Sequence, residues 1–249
     1  EGSILMIMLT CKTPTDLWLE LGRLFFHPQK SKFAIDHCIA NRRFISINNV
    51  LTVEEWNDQW TGKALFDLVG YSGRGHKMNE LRKTYVIEND WQKMKEFVSL
   101  NQKTEFFSIG MNFNMKLNKK GGCLSSFHVI KSRDTWDIMI HGKIAEIPRK
   151  FMADLVLVSK LLKELTLPTD RIRVEFMFSA MYFSIISLRA YVKILGLKKK
   201  DFRGLPIMDP RNYQRNAWTS IENYAKKLKA PAWKDLNLET GEWRNNVSY

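Results

Sequence analysis

The apolar positions along this chain fall into two periods, and the predicted elements follow from where one gives way to the other. Residues 15–26 carry Leu17, Trp18, Leu21, Leu24 and Phe25 at helical spacing, with Thr15 or Asp16 placed to cap the helix and Pro28 to stop it. Residues 44–50 have strand composition, Asn48-Asn49 follows as a turn signal, and Thr52-Val53-Glu54-Glu55 is a capping box that predicts another helix. The glycine-rich stretch 70–75 predicts a loop, and 78–85 and 90–100 predict helices. From residue 106 the period shortens to two. Strands are predicted over 106–117, 124–130 and 136–140, with turns at 119–122 and 131–135. An apolar helix over 151–165, a strand over 173–178 and a second apolar helix over 182–195, ended by Gly196, complete the pattern. Beyond residue 198 the chain is polar and aromatic, with one short helix predicted over 219–228.

The order strand, strand, strand, helix, strand, helix predicts an α+β fold, a mixed β-sheet with packed helices. A single main domain is expected over 1–197, with a largely helical N-terminal part, 1–100, and a sheet core, 105–196. A basic and aromatic extension, 198–249, follows it. At 45% hydrophobic and 26% charged over 249 residues, the composition supports a sizeable core and argues against disorder along the whole length.

The apolar run 4–9 is too short to span a bilayer, so no membrane partner is expected. Cys11, Cys38 and Cys123 make neither a disulfide framework nor a Cys-x-x-Cys zinc pair, and the five histidines show no metal spacing. Free thiols fit a reducing compartment, hence the cytoplasm, that of a virus-infected cell included. The net charge of +13 points to an anionic partner, a nucleotide or a nucleic acid among them, although solubility alone explains it as well. Gly70-x-x-Gly73-x-Gly75 is not a phosphate loop, because no Lys-Ser/Thr follows it.

The segment Gly122-Cys123-Leu-Ser-Ser-Phe-His-Val-Ile resembles the cysteine-bearing strand of the thymidylate synthase and deoxycytidylate hydroxymethylase superfamily. Twenty positions after its Cys the family has Arg, where Lys143 stands; three further on it has Asp, where Glu146 stands. Thirty-one positions after the Cys comes the family's helix-opening Asn or Asp, here Asp154 within Pro148-Arg-Lys-Phe-Met-Ala-Asp154. The stretch from Glu175 to Ser184 is similar to the strand ending in His-x-Tyr, with Tyr182-x-Ser184 in its place. Asn79-Glu80-Leu-Arg-Lys-Thr-Tyr85 resembles the helix that carries the catalytic Glu. The likeness runs over roughly residues 79–196. The family's paired arginines ahead of the Cys strand are missing, and only 42 residues separate Glu80 from Cys123.

The resemblance implies a thymidylate synthase-like fold and C5 modification of a pyrimidine nucleotide, by hydroxymethyl or methyl transfer. Cys123 would add to C6 as a thiolate and Glu80 would act as acid and base. Lys143 would lower the thiol pKa and hold a phosphate, with Arg74, Arg149 or Lys150 as further phosphate cations and Tyr182 and Ser184 beside the sugar. The one-carbon donor would be 5,10-methylenetetrahydrofolate, and the assembly a homodimer with sheets back to back. In that family Asn at the Asp154 position goes with uracil and Asp with cytosine, so a cytidine monophosphate is the implied substrate. A carboxyl group accepts from N4 of cytosine and, when protonated, donates to N3.

Blander readings stand beside these. Cys123 reads also as an inert core cysteine, Glu80 as a solvated helix carboxylate and Asp154 as a helix cap. A synthase-like scaffold that has lost catalysis and binds nucleic acid or a partner protein is the alternative function.

Overall fold

The computed structural model describes residues 6–26, 39–40, 46–56, 81–114, 123–167, 172–184 and 207–208. The first half holds strand β1 (Met6–Cys11), helix α1 (Pro14–Phe26), the two-residue strand β2 (Ile39–Ala40), β3 (Ser46–Val53), a helical turn at 81–85 and helix α2 (Glu88–Leu100). Then come β4 (Phe106–Asn112), β5 (Leu124–Ser132), β6 (Thr135–Glu146), a π-helical turn (Ile147–Phe151), helix α3 (Met152–Leu165), β7 (Ile172–Ser184) and the two-residue β8 (Ile207–Met208).

Six strands make a mixed sheet in the order β1-β3-β7-β6-β5-β4. The pairs β1–β3 and β6–β7 are parallel; β3–β7, β6–β5 and β5–β4 are antiparallel. The four strands predicted around residues 106–178 share this sheet, as an α+β fold requires. The strand expected over 44–50 is seen as β3, and β1, for which no element was expected, pairs beside it in the same sheet.

Alternation along each strand sends one set of side chains to one face. Leu9, Leu51, Phe176, Ile140, Phe127 and Met111 stand in register across all six strands, and every one is buried. Leu155, Val158, Leu161 and Leu162 of α3 join the same core. Phe151 packs edge-on against Phe176 and Phe178, at 5.4 and 5.5 Å between ring centroids. The opposite row, Met8, Val50, Met177, His141, Ser126 and Asn112, is mostly half-buried to exposed, with Ser126 alone buried.

Several local expectations give way to tertiary pairing. Helix α1 is capped one turn earlier than predicted: the Asp16 amide donates to Thr13 Oγ1 at 3.2 Å, and the Thr13 amide donates back to the Asp16 carboxylate at 3.2 Å. Pro14 then occupies the first helical position, where its missing N–H costs nothing. Asn48-Asn49 is not a turn but lies inside β3, at a register shift between Ser46 and Asn49 against β7. Thr52 and Val53 finish that strand and open no helix; the rest of the predicted helix lies outside the described residues. Residues 182–184 extend β7 where a helix was expected to begin. β7 has partners on both sides, so its apolar run cannot be told from a buried helix by period alone. The remainder of 182–195, the loop 70–75, the turn 119–122 and the helix 219–228 also fall outside the described residues.

One polar clamp ties the helices together. The Arg82 guanidinium donates to both oxygens of Glu164 on α3, at 3.2 and 3.0 Å, and to Glu88 on α2 at 2.6 Å. The Trp91 indole N–H donates to the same Glu164 at 2.6 Å. Arg82→Met would leave the half-buried Glu164 carboxylate without its fork, at a cost of about 1–3 kcal/mol. Urea unfolding of this variant should show the midpoint fall with the slope unchanged.

Candidate functional site

The C-terminal ends of β6 and β7, the start of β5 and the turn into α3 converge on one buried polar cluster. Cys123 stands immediately before β5 and is buried. Its amide donates to the Tyr85 hydroxyl at 2.5 Å, and its carbonyl accepts from the Lys143 amide at 2.9 Å. β5 and β6 close tightly here: a Cβ on Gly142 would lie 2.8 Å from the Cys123 carbonyl and 2.3 Å from the Phe178 ring. Only glycine fits that approach.

Tyr85 closes the helical turn at 81–85. The Arg82 clamp holds that turn on one side, and on the other the Tyr85 carbonyl accepts from the Asn114 amide at 2.7 Å. From this position the hydroxyl reaches both the Cys123 amide and the Asp154 carboxyl. Asp154 sits in the first turn of α3 with 2% of its surface exposed, as has Glu146 at the end of β6. Among the described residues, Asp154 Oδ2 and Glu146 Oε1 have no hydrogen-bond partner. Glu146 Oε2 accepts from the Lys150 amide at 3.0 Å. A buried oxygen without a partner is costly, and a ligand that donates a hydrogen bond would satisfy it.

The protonation states follow from burial. Asp154 is held well above the usual carboxylate range, first by desolvation, with Lys150 and the Tyr85 hydrogen bond pulling the other way. The Cys123 thiol is pushed up to about 12, by burial first and then by Asp154, against an opposing pull from Lys150. Burial likewise raises Tyr85 above the ordinary phenol range. An Asp154 that keeps its proton carries no charge. Desolvation alone then suffices to keep thiol and phenol neutral at neutral pH.

The structure brings Cys123 and Asp154 into one cluster, and Asp154 makes no side-chain cap to α3. Lys143 is not where a thiol-activating cation is needed: only its backbone meets Cys123, and its side chain is exposed. The expected lowering of the thiol pKa is replaced by a rise, because burial outweighs the nearest cation. Tyr182 and Ser184 are the last residues of β7, with Tyr182 paired to Glu146, so their backbone ends at the same edge. Arg149 belongs to the π-helical turn. Glu80 and Arg74 lie outside the described residues.

Sequence reasoning gives Tyr85 and Glu146 no role of their own, although Glu146 has a signal in its spacing from Cys123 and Tyr85 in closing the predicted helix of Glu80. Lys150 enters there only as an alternative phosphate cation, not as a partner of the thiol.

Among the described residues no group of three or more His, Cys, Asp or Glu could hold a metal, and no helix is long and apolar enough to cross a membrane. Those residues include fifteen basic and fourteen acidic side chains, so twelve of the thirteen net positive charges lie outside them. No protein-family model and no curated protein matches this chain.

A raised carboxyl pKa has a definite effect on stability. Above the unfolded-state value, near 3.8, the unfolded chain has lost the Asp154 proton and the native chain keeps it. Stability from this group is therefore full below that pH and falls by about 1.4 kcal/mol per unit as pH rises toward the folded-state pKa. Asp154→Asn removes the titration. Urea unfolding from pH 4 to 8 should show the variant gaining on the wild type across that window, and parallel curves would mean that Asp154 titrates normally.

Proposed function

We propose that this chain transfers a one-carbon unit to C5 of a pyrimidine nucleotide, a cytidine monophosphate, through a Cys123 adduct at C6. The observation that carries the reading is the buried Asp154 carboxyl beside Cys123, kept toward its protonated form and with one oxygen unpartnered among the described residues. A neutral carboxyl offers an acceptor and a donor side by side. That pattern matches N4–H and N3 of cytosine and mismatches uracil, which presents O4 and N3–H. The mixed sheet, with Cys123 at the start of one strand and Asp154 on the crossover helix, is compatible with a thymidylate synthase-like fold.

In this mechanism Asp154 orients the base and Tyr85 fixes the backbone of Cys123. The thiolate attacks C6, and C5 becomes the nucleophile. Glu80 moves the proton at C5, while Lys143, Arg149 and Arg74 supply phosphate cations and Tyr182 and Ser184 meet the sugar. The second unpartnered oxygen, Glu146 Oε1, fits a ring rich in N–H donors, as a reduced pterin is. Bound 5,10-methylenetetrahydrofolate would supply a carbon at the aldehyde level. A reducing cytoplasm suits a site that needs a free thiol.

The expected outcomes are specific. Calorimetry should show cytidine monophosphate bound more tightly than uridine monophosphate, and Asp154→Asn should shift that preference toward uridine by roughly 5- to 150-fold, the worth of one mispaired buried edge. Cys123→Ser should abolish tritium release from C5 while thermal unfolding stays near wild type, because a hydroxyl adds poorly to C6. Absence of binding of either nucleotide at millimolar concentration would overturn the reading in favour of a binding scaffold.

The assembly we propose is a homodimer through the outer sheet face, where Met8 is 59% exposed and Val50, Met139 and Met177 are half-buried. Six strands at roughly 4.8 Å spacing, each spanning about 20 Å, present on the order of 600 Å², close to the roughly 800 Å² per partner of a standard interface. Sedimentation at micromolar concentration should give twice 29.2 kDa, and Met177→Glu should return the monomer.

A further inference from the structure

We propose that Lys150, half-buried in the π-helical turn that borders the buried cluster, is the cation that stabilises the Cys123 thiolate. The proposal rests on Cys123 acting as a nucleophile. The turn Ile147–Phe151 joins β6 to α3 and is anchored at both ends: Ile147 is buried, and Phe151 packs between Phe176 and Phe178. Within it the Lys150 amide donates to Glu146 Oε2 at 3.0 Å, so the backbone of Lys150 is tied to a member of the cluster. Its side chain is half-buried, whereas Lys143 is exposed and its charge is screened by water.

Among the described residues, the ionisable groups that face Cys123 come from four elements: Tyr85 from the helical turn 81–85, Glu146 from β6, Lys150 from the π-helical turn and Asp154 from α3. Three of the four are acids. A thiolate formed among them, away from water, needs a positive partner, and among the described residues Lys150 fills that place. It acts on Cys123 and on Asp154 in the same sense, favouring the ionised form of each. It is therefore a positioning residue that works through the nucleophile.

The test reads the thiol directly. Cys123 alkylation by iodoacetamide is followed by peptide mass spectrometry from pH 6 to 11, for wild type, Lys150→Met, Lys150→Arg and Lys143→Met. Loss of the Lys150 charge should raise the Cys123 titration by about one pH unit and slow alkylation on the rising limb about tenfold. Lys150→Arg should stay within about twofold of wild type, and Lys143→Met should superimpose on it. If Lys150→Met unfolds, Lys150→Gln in the same assay replaces it. A Lys150→Met profile that coincides with wild type, or a Lys143→Met shift of equal size, overturns the proposal.

Nucleotide binding measured in parallel separates the two readings. A shifted thiol with no nucleotide bound upholds Lys150 and ends the transferase reading. C5 exchange with an unshifted Lys150→Met thiol does the reverse.

Discussion

Parallel strands cannot be joined by a tight turn, so the pairing of β6 with β7 forces the chain to leave the sheet and return across its face. The crossover is the π-helical turn and α3. Everything polar in the candidate site hangs on that detour: Glu146 is the last residue before it, Lys150 lies within it, and Asp154 enters the first turn of the helix. Phe151, gripped between two rings of β7, sets how deeply the turn sinks. The core row of buried side chains and the polar cluster are thus consequences of one connection.

Burial dominates the electrostatics of that cluster. Cys123, Tyr85 and Asp154 are each displaced toward their neutral forms, with desolvation the largest cause in every case. A resting site of this kind stores no thiolate. In the proposed reading, a ligand that supplies hydrogen-bond donors to the unpartnered oxygens would change the balance, and the Lys150 ammonium would share the cost. The same low-dielectric setting that suppresses ionisation at rest strengthens each hydrogen bond once a ligand excludes water.

The basic excess stands apart from this chemistry. The described core is almost charge-balanced, so its packing and its site owe little to the +13 of the whole chain. Long-range attraction for an anion would come from the basic residues of the remaining segments, while in the proposed reading the buried carboxyls would recognise the base at short range.

Much of the fold was legible in the residues alone. The two-residue alternation of 106–140 and the apolar stripe of 152–165 dictate strands and a buried helix in any context, because one face of each must leave water. The spacing of Cys123 to Glu146 and Asp154 was equally readable, and these three do meet. What only tertiary structure decided lies where local signals compete with pairing. Asn48-Asn49 looks like a turn yet sits in β3, because β1 pairs with both residues and β7 pairs with Asn49 beyond the register shift. Lys143 looks like the activating cation yet its side chain is exposed on β6, while Lys150, in the wide turn that follows, is half-buried. Tyr85 reaches Cys123 across 38 residues of sequence only because Arg82 is clamped to a helix 82 residues away. Periodicity records which face a residue takes; it holds no record of which distant group the fold will set against it.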